Sequence, residues 1–334
     1  MKTVFFDVDP WSKPHIKKAF PDATFVDDRL SADNVAEYKD AEIVSTFHTS
    51  DLSHEVIEAL PHLKMIATRS TGYNHIDVAA ASKRHIISAN VPTYGKHTVA
   101  EHAFGLILTL TRHLFPAIER VKREGKFNII GLQGEDLFGK TIGIVGLGEI
   151  GECVLKIAKG FNMEPLVYTR TQNQDLAHEL GFEYAKDLED LLKRSDVITL
   201  HLPLTEHTKH IINTNNVHDI KKGAYLINTA RGGLIDTDAL LIGLEEGILA
   251  GVGLDVLEDE FELQEEADLL SSEIRKKIDY ENLVMDHVLM HHDKVVITPH
   301  NAFNTSEARL RILQTSFDNI HAFLDGKPQN VVIQ

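Results

Sequence analysis

A short glycine-rich run limits most strongly what this chain can fold into. The run is Gly146-Leu147-Gly148-Glu149-Ile150-Gly151, and it directly follows the apolar run Thr141-Ile142-Gly143-Ile144-Val145. Apolar residues then recur at helical spacing up to Ala158. A strand, a tight turn and a helix in this order let the backbone approach a pyrophosphate, and the helix N-terminus then faces the phosphate charge. The sequence therefore predicts a dinucleotide-binding turn at residues 146–151.

Apolar runs alternate with segments of helical spacing along the whole chain. Such alternation is typical of βα units and predicts mostly parallel sheets, here two of them. The runs are Val4–Phe6, Ile43–Ser45, Met65–Thr68, Ile86–Ser88, Ile142–Val145, Leu166–Tyr168, Val197–Leu200, Tyr225–Asn228, Val252–Leu254 and Val295–Thr298. A chain of 334 residues also exceeds what one hydrophobic core usually supports. We therefore expect a whole domain before the nucleotide site.

Composition argues against several classes of protein. The net charge of -16 disfavours sequence-independent binding to nucleic acid, because phosphate contacts need clustered lysine and arginine. The chain has no run of about 18 uncharged apolar residues, and Asp7 and Asp9 interrupt the apolar start that a signal peptide would need. The single cysteine, Cys153, excludes an internal disulfide and a cysteine zinc site. We expect a cytoplasmic protein that binds neither nucleic acid nor membrane.

Two helices are predicted to be buried. The segment Thr98–Leu110 is apolar nearly all round, so its helix packs either inside one chain or against a second subunit. The assembly that we expect is a homodimer. A last helix is predicted from apolar residues at helical spacing, namely Leu310, Leu313, Phe317, Ile320 and Leu324. If this helix returns to the first domain, that domain is discontinuous.

The residues after the second strand of the nucleotide domain bear on the choice of cofactor. An enzyme that uses NAD usually has Asp or Glu about 20 residues after the glycines, where the carboxylate accepts from the ribose 2′-hydroxyl. Here the sequence reads Val167-Tyr168-Thr169-Arg170-Thr171. An arginine between two hydroxyls suits a 2′-phosphate, so Arg170 favours NADP. The alternative of an exposed arginine and NAD as cofactor stays open.

Three later segments place polar residues at the C-terminal ends of apolar runs, where open α/β sheets bind ligands. They are Asn228–Gly233, Gly253–Glu260 and Thr298–His300. The guanidinium of Arg231 can hold a carboxylate through two charge-assisted hydrogen bonds. Histidine titrates near neutrality, so His300 can exchange the proton that accompanies hydride transfer at a hydroxyl carbon. A carboxylate bonded to the imidazole would fix its orientation.

In this combination the motifs resemble the D-isomer-specific 2-hydroxyacid dehydrogenase family over nearly the whole chain. The resemblance implies an α/β fold with two doubly wound parallel-sheet domains. Residues 1–98 and 306–334 would form a discontinuous, flavodoxin-like substrate domain, and residues 99–305 a Rossmann nucleotide domain. The activity implied is hydride transfer between a nicotinamide cofactor and a small D-2-hydroxy acid or its 2-keto partner.

The same resemblance implies roles for individual residues. Arg231 would bind the substrate carboxylate and carbonyl, Glu260 would tune the histidine, and His300 would be the acid/base. The residues implied at the cofactor are Gly146, Gly148, Glu149, Ile150, Gly151, Arg170, Leu202, Pro203, Thr208, Thr229, Ala230 and Asp255. Those implied at the substrate are Ser70, Thr71, Gly72, Tyr94, Arg231 and Phe303.

Local resemblances to different branches of the family bear on the substrate, and they point to different ones. Asn90–Tyr94, Ala100–His102 and Thr298–Phe303 resemble the D-lactate dehydrogenase branch, whereas Thr169–Thr171 resembles the NADP-using reductases. We expect D-lactate and pyruvate, with a glyoxylate or hydroxypyruvate reductase as the first alternative. A non-catalytic co-repressor-like protein that senses NAD(H) is the second.

Histidine is abundant, with 19 residues, and His287, His291 and His292 lie close together in the sequence. No carboxylate or cysteine stands near them at recognised ligand spacing, so we expect no metal site.

Overall fold

The computed structural model describes residues 1–258, 285 and 287–332. Contacts within the chain divide it into two compact units. The first consists of Met1–Tyr94 and Asn304–Gln334, and the second of Gly95–Phe303. Each unit is built around its own parallel β-sheet.

The sheet of the first unit has five strands, all paired in parallel. The strands are β1 (Thr3–Phe5), β2 (Thr24–Phe25), β3 (Ile43–Thr46), β4 (Met65–Thr68) and β5 (Ile87–Ala89). Helices α1 (Lys13–Ala19), α2 (His54–Glu58) and α3 (Val78–Lys83) lie on the connections. The strand order β2-β1-β3-β4-β5 is that of flavodoxin-like folds.

The second sheet has seven parallel strands. They are β6 (Thr141–Val145), β7 (Glu164–Tyr168), β8 (Glu183–Tyr184), β9 (Val197–Leu200), β10 (Ala224–Asn228), β11 (Leu249–Leu254) and β12 (Val295–Ile297). The α-helices of this unit up to β11 are α4 (Lys96–Thr111), α5 (Leu114–Lys122), α6 (Glu149–Gly160), α7 (Gln174–Leu180), α8 (Leu188–Arg194) and α9 (Thr237–Glu245). The order β12-β11-β10-β9-β6-β7-β8 reverses between β6 and β9, which is the switch point at which Rossmann folds bind dinucleotides. The predicted pair of doubly wound parallel sheets is thus confirmed.

Helix α4 contains the segment that the sequence predicts to be buried. Ala100, Ala103 and Ile107 have no exposed surface, and Phe104 is also buried. These side chains share one core cluster with apolar residues of α6 and of strands β6 and β10. Within one chain α4 is thus a core helix, and its packing against a second subunit stays a prediction.

The last helix, α10 (Ser306–Leu324), belongs to the first unit. Leu313, Phe317 and Ile320 pack in a core cluster with side chains of β1, β3 and β4. Leu310 and Leu324 are 44% and 45% exposed, so these two predicted residues lie outside the core, whereas Ala308 and Ile312 on the same helix are buried. None of the helices in the described part of the chain combines the length and apolar character needed to cross a membrane.

Candidate functional site

The glycine-rich turn connects β6 to α6 at the switch point. Gly146 has a φ of +100°, a conformation that residues with a Cβ rarely adopt. A Cβ on Gly151 would lie 2.2 Å from the carbonyl oxygen of Gly146, so only glycine lets the helix approach the turn this closely. Glu149 and Ile150 form the first turn of α6, and Lys96 lies 3.3 Å from the carboxylate of Glu149.

Two observations indicate that this turn fits a dinucleotide. A Cβ built on Gly148 meets no atom within 4 Å, so space is open where a pyrophosphate must approach the backbone. Thr229, which follows β10, is 8% exposed, and its hydroxyl has no hydrogen-bond partner among the described residues. A buried hydroxyl without a partner is costly, and a bound ligand would satisfy it. These residues would hold the nicotinamide dinucleotide that the sequence predicts.

Arg170 is the second residue after β7 and is exposed. Its guanidinium makes no ion pair with any residue in the described part of the chain. Thr169 and Thr171 flank it in the sequence. The side chain is therefore available to an anionic ligand.

The segment after β9 contains three of the residues expected at the cofactor. Leu202 is half-buried, whereas Pro203 is exposed. The Thr208 hydroxyl donates to the carbonyl of Pro203 at 2.6 Å and accepts from the backbone N–H of Thr205 at 2.8 Å. Thr208 thus shapes this loop through its side chain.

Arg231 lies in a loop that begins at the end of β10. The side-chain amide of Asn228 donates to the carbonyl of Arg231 at 2.8 Å, and its oxygen accepts from the N–H of Ala230 at 3.0 Å. A Cβ on Gly232 would lie 1.9 Å from the carbonyl oxygen of Leu257, so the next strand-end segment packs directly against this loop. The backbone around Arg231 is therefore fixed from two sides.

Asp255 follows β11 and is 1% exposed. One carboxylate oxygen accepts from the N–H of Asn301 at 2.8 Å and from the hydroxyl of Thr298, and the other accepts from the N–H of Ala302 at 2.8 Å. The carbonyl of Asp255 accepts from the N–H of His300 at 2.8 Å. Asp255 thus fixes the loop that carries His300. The carboxylate oxygen that accepts from Ala302 can accept a further hydrogen bond from a ligand.

His300 itself has a φ of +48°, in the left-handed region. Its imidazole contacts the ring of Phe303 edge-on, with 6.4 Å between the ring centroids. Arg231 and His300 follow β10 and β12, which flank β11, so both lie at the same edge of one parallel sheet. Glu260, predicted to tune the histidine, lies outside the described residues.

Of the residues of the first unit expected at the substrate, Ser70, Thr71 and Gly72 follow β4 and Tyr94 follows β5. The hydroxyl of Ser70 donates to the carbonyl of Gly72 at 2.6 Å, and the hydroxyl of Thr71 donates to the carbonyl of Val91 at 2.7 Å. The carbonyl of Tyr94 accepts from the guanidinium of Arg311 at 2.6 Å. These bonds fix a tight loop at residues 70–72 within this unit.

Sequence reasoning gave no role to several residues that shape these loops. Arg69 is buried, and its guanidinium donates to the carbonyls of Phe6, Asp7 and Ser45 at the ends of β1 and β3. Burial lowers the pKa of Arg69 to about 10. His102, on α4, approaches the side chains of both Thr298 and Asp255. Nothing in the spacing of either residue points to a partner so distant in sequence.

The clustered histidines near residue 290 contact one another and the backbone. The rings of His287 and His291 are 4.5 Å apart, and His291 Nδ1 lies 2.9 Å from the carbonyl of His287. Across residues 1–258, 285 and 287–332, no three side chains of histidine, cysteine, aspartate or glutamate are grouped so that they could hold a metal ion.

The family model for the NAD binding domain of D-isomer specific 2-hydroxyacid dehydrogenases matches residues 104–302. The chain belongs to this family. It is 37% identical over 305 residues to a glyoxylate reductase of Korarchaeum cryptofilum, covering 90% of this chain and 85% of the relative.

Two solved structures are similar to almost the whole chain. A D-lactate dehydrogenase from Aquifex aeolicus, complexed with NAD and lactic acid, is 35% identical with a TM-score of 0.84, covering 98% of this chain and 96% of the other. The apo-structure of D-lactate dehydrogenase from Escherichia coli is 32% identical with a TM-score of 0.83, covering 100% of both chains. This family member is therefore an oxidoreductase that acts on the CH–OH group of D-2-hydroxy acids with a nicotinamide cofactor.

His201, at the end of β9, gives a testable pH dependence. Burial lowers its pKa from 6.5 to about 4, so the folded protein keeps the imidazole neutral. Because the folded pKa lies below the unfolded one, this contribution to stability is complete above pH of about 6.5 and is lost as the pH falls towards 4. We expect the free energy of unfolding to depend less steeply on pH for His201→Gln than for the wild type in this interval. The difference in slope should be up to about 1.4 kcal/mol per pH unit.

Urea unfolding followed by circular dichroism at several pH values between about 7 and 5 measures this slope. Glutamine keeps a group that can bond the Thr199 hydroxyl, which lies 2.9 Å from His201 Nε2. The exposed His178 on α7 provides the control, since His178→Gln should leave the slope unchanged. Identical slopes for the wild type and His201→Gln would contradict the prediction.

Proposed function

We propose that this chain interconverts pyruvate and D-lactate, or closely similar 2-keto and D-2-hydroxy acids. The observation that carries the proposal is the loop of His300, which Asp255 ties to the strand neighbouring that of Arg231. A proton-transferring imidazole and a carboxylate-binding guanidinium are the two groups that this reaction requires from the protein. Similarity to D-lactate dehydrogenases over almost the entire chain supports the choice of substrate.

The residues would divide the reaction between them. The guanidinium of Arg231 binds the substrate carboxylate in a bidentate manner and orients the keto carbon. His300 donates a proton to the carbonyl oxygen during reduction and accepts it from the hydroxyl during oxidation. The nicotinamide cofactor, when bound, supplies or accepts the hydride. Glu260 would hold the imidazole in its protonated form.

We assign the unit that contains β1–β5 as the substrate domain and the unit that contains β6–β12 as the nucleotide domain. In the former, the backbone amides of Ser70, Thr71 and Gly72 would meet the substrate carboxylate, and Tyr94 would contact the substrate. In the latter, Phe303 would border the substrate next to His300, which its ring already contacts. The fixed loop at residues 70–72 supports this assignment.

Reduction of glyoxylate or hydroxypyruvate is the second candidate. The 37% identity to a glyoxylate reductase favours it. The two candidates use the same chemistry and differ only in the group attached to the keto carbon. Relative kcat/KM values for the three keto acids therefore distinguish them.

A panel of pyruvate, glyoxylate and hydroxypyruvate tests the proposal, with oxidation of the reduced cofactor followed by absorbance. We expect turnover by the wild type, with pyruvate preferred. His300→Ala should lower kcat by about 10²-fold or more, because general acid catalysis is lost. Arg231→Lys should mainly raise KM for the keto acid, because a point charge cannot replace the guanidinium fork.

The exposed His291 provides the control, and His291→Ala should behave like the wild type. A wild-type kcat in His300→Ala would show that the acid/base assignment is wrong. Tight cofactor binding without turnover of any keto acid would instead favour the NAD(H)-sensing protein.

For the cofactor we infer a preference for NADP. The exposed Arg170, which makes no ion pair in the described part of the chain, supports it. We expect Arg170→Ala to weaken NADPH binding by about tenfold, the loss of one charge-assisted contact, and to leave NADH binding unchanged. Titration by cofactor fluorescence measures both. Arg112→Ala, at the exposed end of α4, is a matched control. A wild type that already prefers NADH would refute the inference.

We also infer a homodimer. The segment from α5 to the start of β6 exposes many large apolar side chains, more than a monomer's surface usually carries in one stretch. The most exposed are Phe127, Ile129, Ile130 and Phe138, at 96%, 87%, 78% and 75%. A symmetric contact with a second copy would bury such a surface.

Sedimentation velocity tests the dimer. We expect twice the mass of one chain for the wild type and a shift towards the monomer for the double variant Phe127→Asp, Ile129→Asp, because two charges would have to be buried. Val288, 48% exposed and outside this segment of the sequence, supplies the control variant Val288→Asp. A dimer that survives the double substitution would place the interface elsewhere.

A further inference from the structure

His102 lies beside the loop that carries His300, although almost 200 residues separate them in the sequence. Its Nε2 atom is 2.9 Å from the hydroxyl of Thr298 and 3.4 Å from the nearer carboxylate oxygen of Asp255. The side chain of His102 is 23% exposed and that of Asp255 only 1%. The histidine therefore contacts both residues that shape the His300 loop.

The hydrogen bonds determine which partner donates. The Thr298 hydroxyl donates its only proton to the carboxylate of Asp255. An ionised carboxylate only accepts, so neither neighbour can donate to His102. Nε2 must therefore carry a proton and donate it to Thr298. A continuous series of hydrogen bonds therefore runs from His102 through Thr298 to Asp255.

Because His102 lies on a rigid helix, this series of hydrogen bonds anchors the His300 loop. Ala103 and Phe104, the next residues on α4, are buried in the core of the second unit, so the imidazole projects from a fixed backbone. At the other end, Asp255 also holds the backbone N–H groups of Asn301 and Ala302. The loop is thus tied to α4 as well as to the sheet.

The loop needs such an anchor because of its backbone conformation. His300 has a φ of +48°, which costs free energy for a residue with a Cβ. A strained residue persists only when the surrounding bonds fix it. Losing one bond of the set would let the loop relax and move the imidazole.

We propose that His102 is a positioning residue that holds the His300 loop in its reactive conformation, by donating a hydrogen bond from Nε2 to Thr298. The inference rests on the proposed acid/base role of His300. His102 takes no part in proton transfer to the substrate, because its Nε2 proton is committed to Thr298.

The experiment compares kcat, KM and cofactor affinity of His102→Ala and His102→Gln with those of the wild type. We expect His102→Ala to lower kcat about tenfold or more, as small misplacements of a catalytic group do, with cofactor affinity unchanged. Glutamine places an amide nitrogen three bonds from Cβ, as histidine places Nε2, so His102→Gln should restore most of kcat. His178→Ala controls for loss of an exposed histidine.

A double-mutant cycle with Thr298→Val tests whether His102 acts through Thr298. If His102 acts through the Thr298 hydroxyl, Thr298→Val should itself lower kcat, and adding His102→Ala should lower it little further. If His102→Ala fails to fold, His102→Asn takes its place in the cycle, because its amide nitrogen lies one bond short of the Nε2 position. A wild-type kcat in His102→Ala, no rescue by glutamine, or independent effects of the two sites would each overturn the proposal.

A wild type that reduces no keto acid would disprove the proposed function without deciding this inference. In that case the NMR resonances of the His300 imidazole are compared between the wild type and His102→Gln or His102→Ala. We expect the alanine variant to shift them and the glutamine variant to restore them. Unchanged resonances in His102→Ala would overturn the inference by itself.

Discussion

The carboxylate of Asp255 is the group on which the candidate site depends. A buried charge is tolerated only when hydrogen bonds replace the lost water, and here the replacement donors all belong to residues 298–302. The cost of leaving this carboxylate unpaired would be large, so the loop around it cannot easily adopt another conformation. The same bonds therefore satisfy a buried charge and hold His300 in a backbone conformation that it would not adopt alone.

Parallel pairing of β10, β11 and β12 brings Arg231 and His300 to the same sheet edge as this carboxylate. The backbone ladder continues beyond the strands, since the N–H of Asp255 donates to Asn228 at 2.9 Å and the N–H of Thr298 donates to Leu254 at 2.9 Å. Each strand thus ends with its next residues still in register with those of its neighbour. Arg231 and His300 follow on either side of Asp255, which is why residues about 70 positions apart in sequence share one edge of the sheet.

Much of this arrangement could be predicted because it rests on local patterns. The ten apolar runs all lie on strands, with bounds that differ by three residues at most, because a buried parallel strand must be continuously apolar. Strands β2 and β8 were not predicted, since each has only two residues and lies at a sheet edge. The exposure of Leu310 and Leu324 was also missed, because apolar spacing alone does not determine which residues face the core: Ala308 and Ile312 are buried where Leu310 is exposed. The contacts of Arg69 and His102 depend on tertiary packing, which no spacing in the sequence encodes.

The loops of Arg231 and His300, which follow the two strands beside β11, are fixed in the same way. This explains how an irregular loop can hold a catalytic group accurately. Beyond a strand end, backbone N–H and C=O groups lose their ladder partners and must find others. Around Arg231 the amide of Asn228 supplies one donor and one acceptor to the backbone. Around His300 the carboxylate of Asp255 supplies acceptors alone. In each case the residue that closes the loop is the last of its strand or directly follows it, so the rigidity of the sheet passes to the loop through a single side chain.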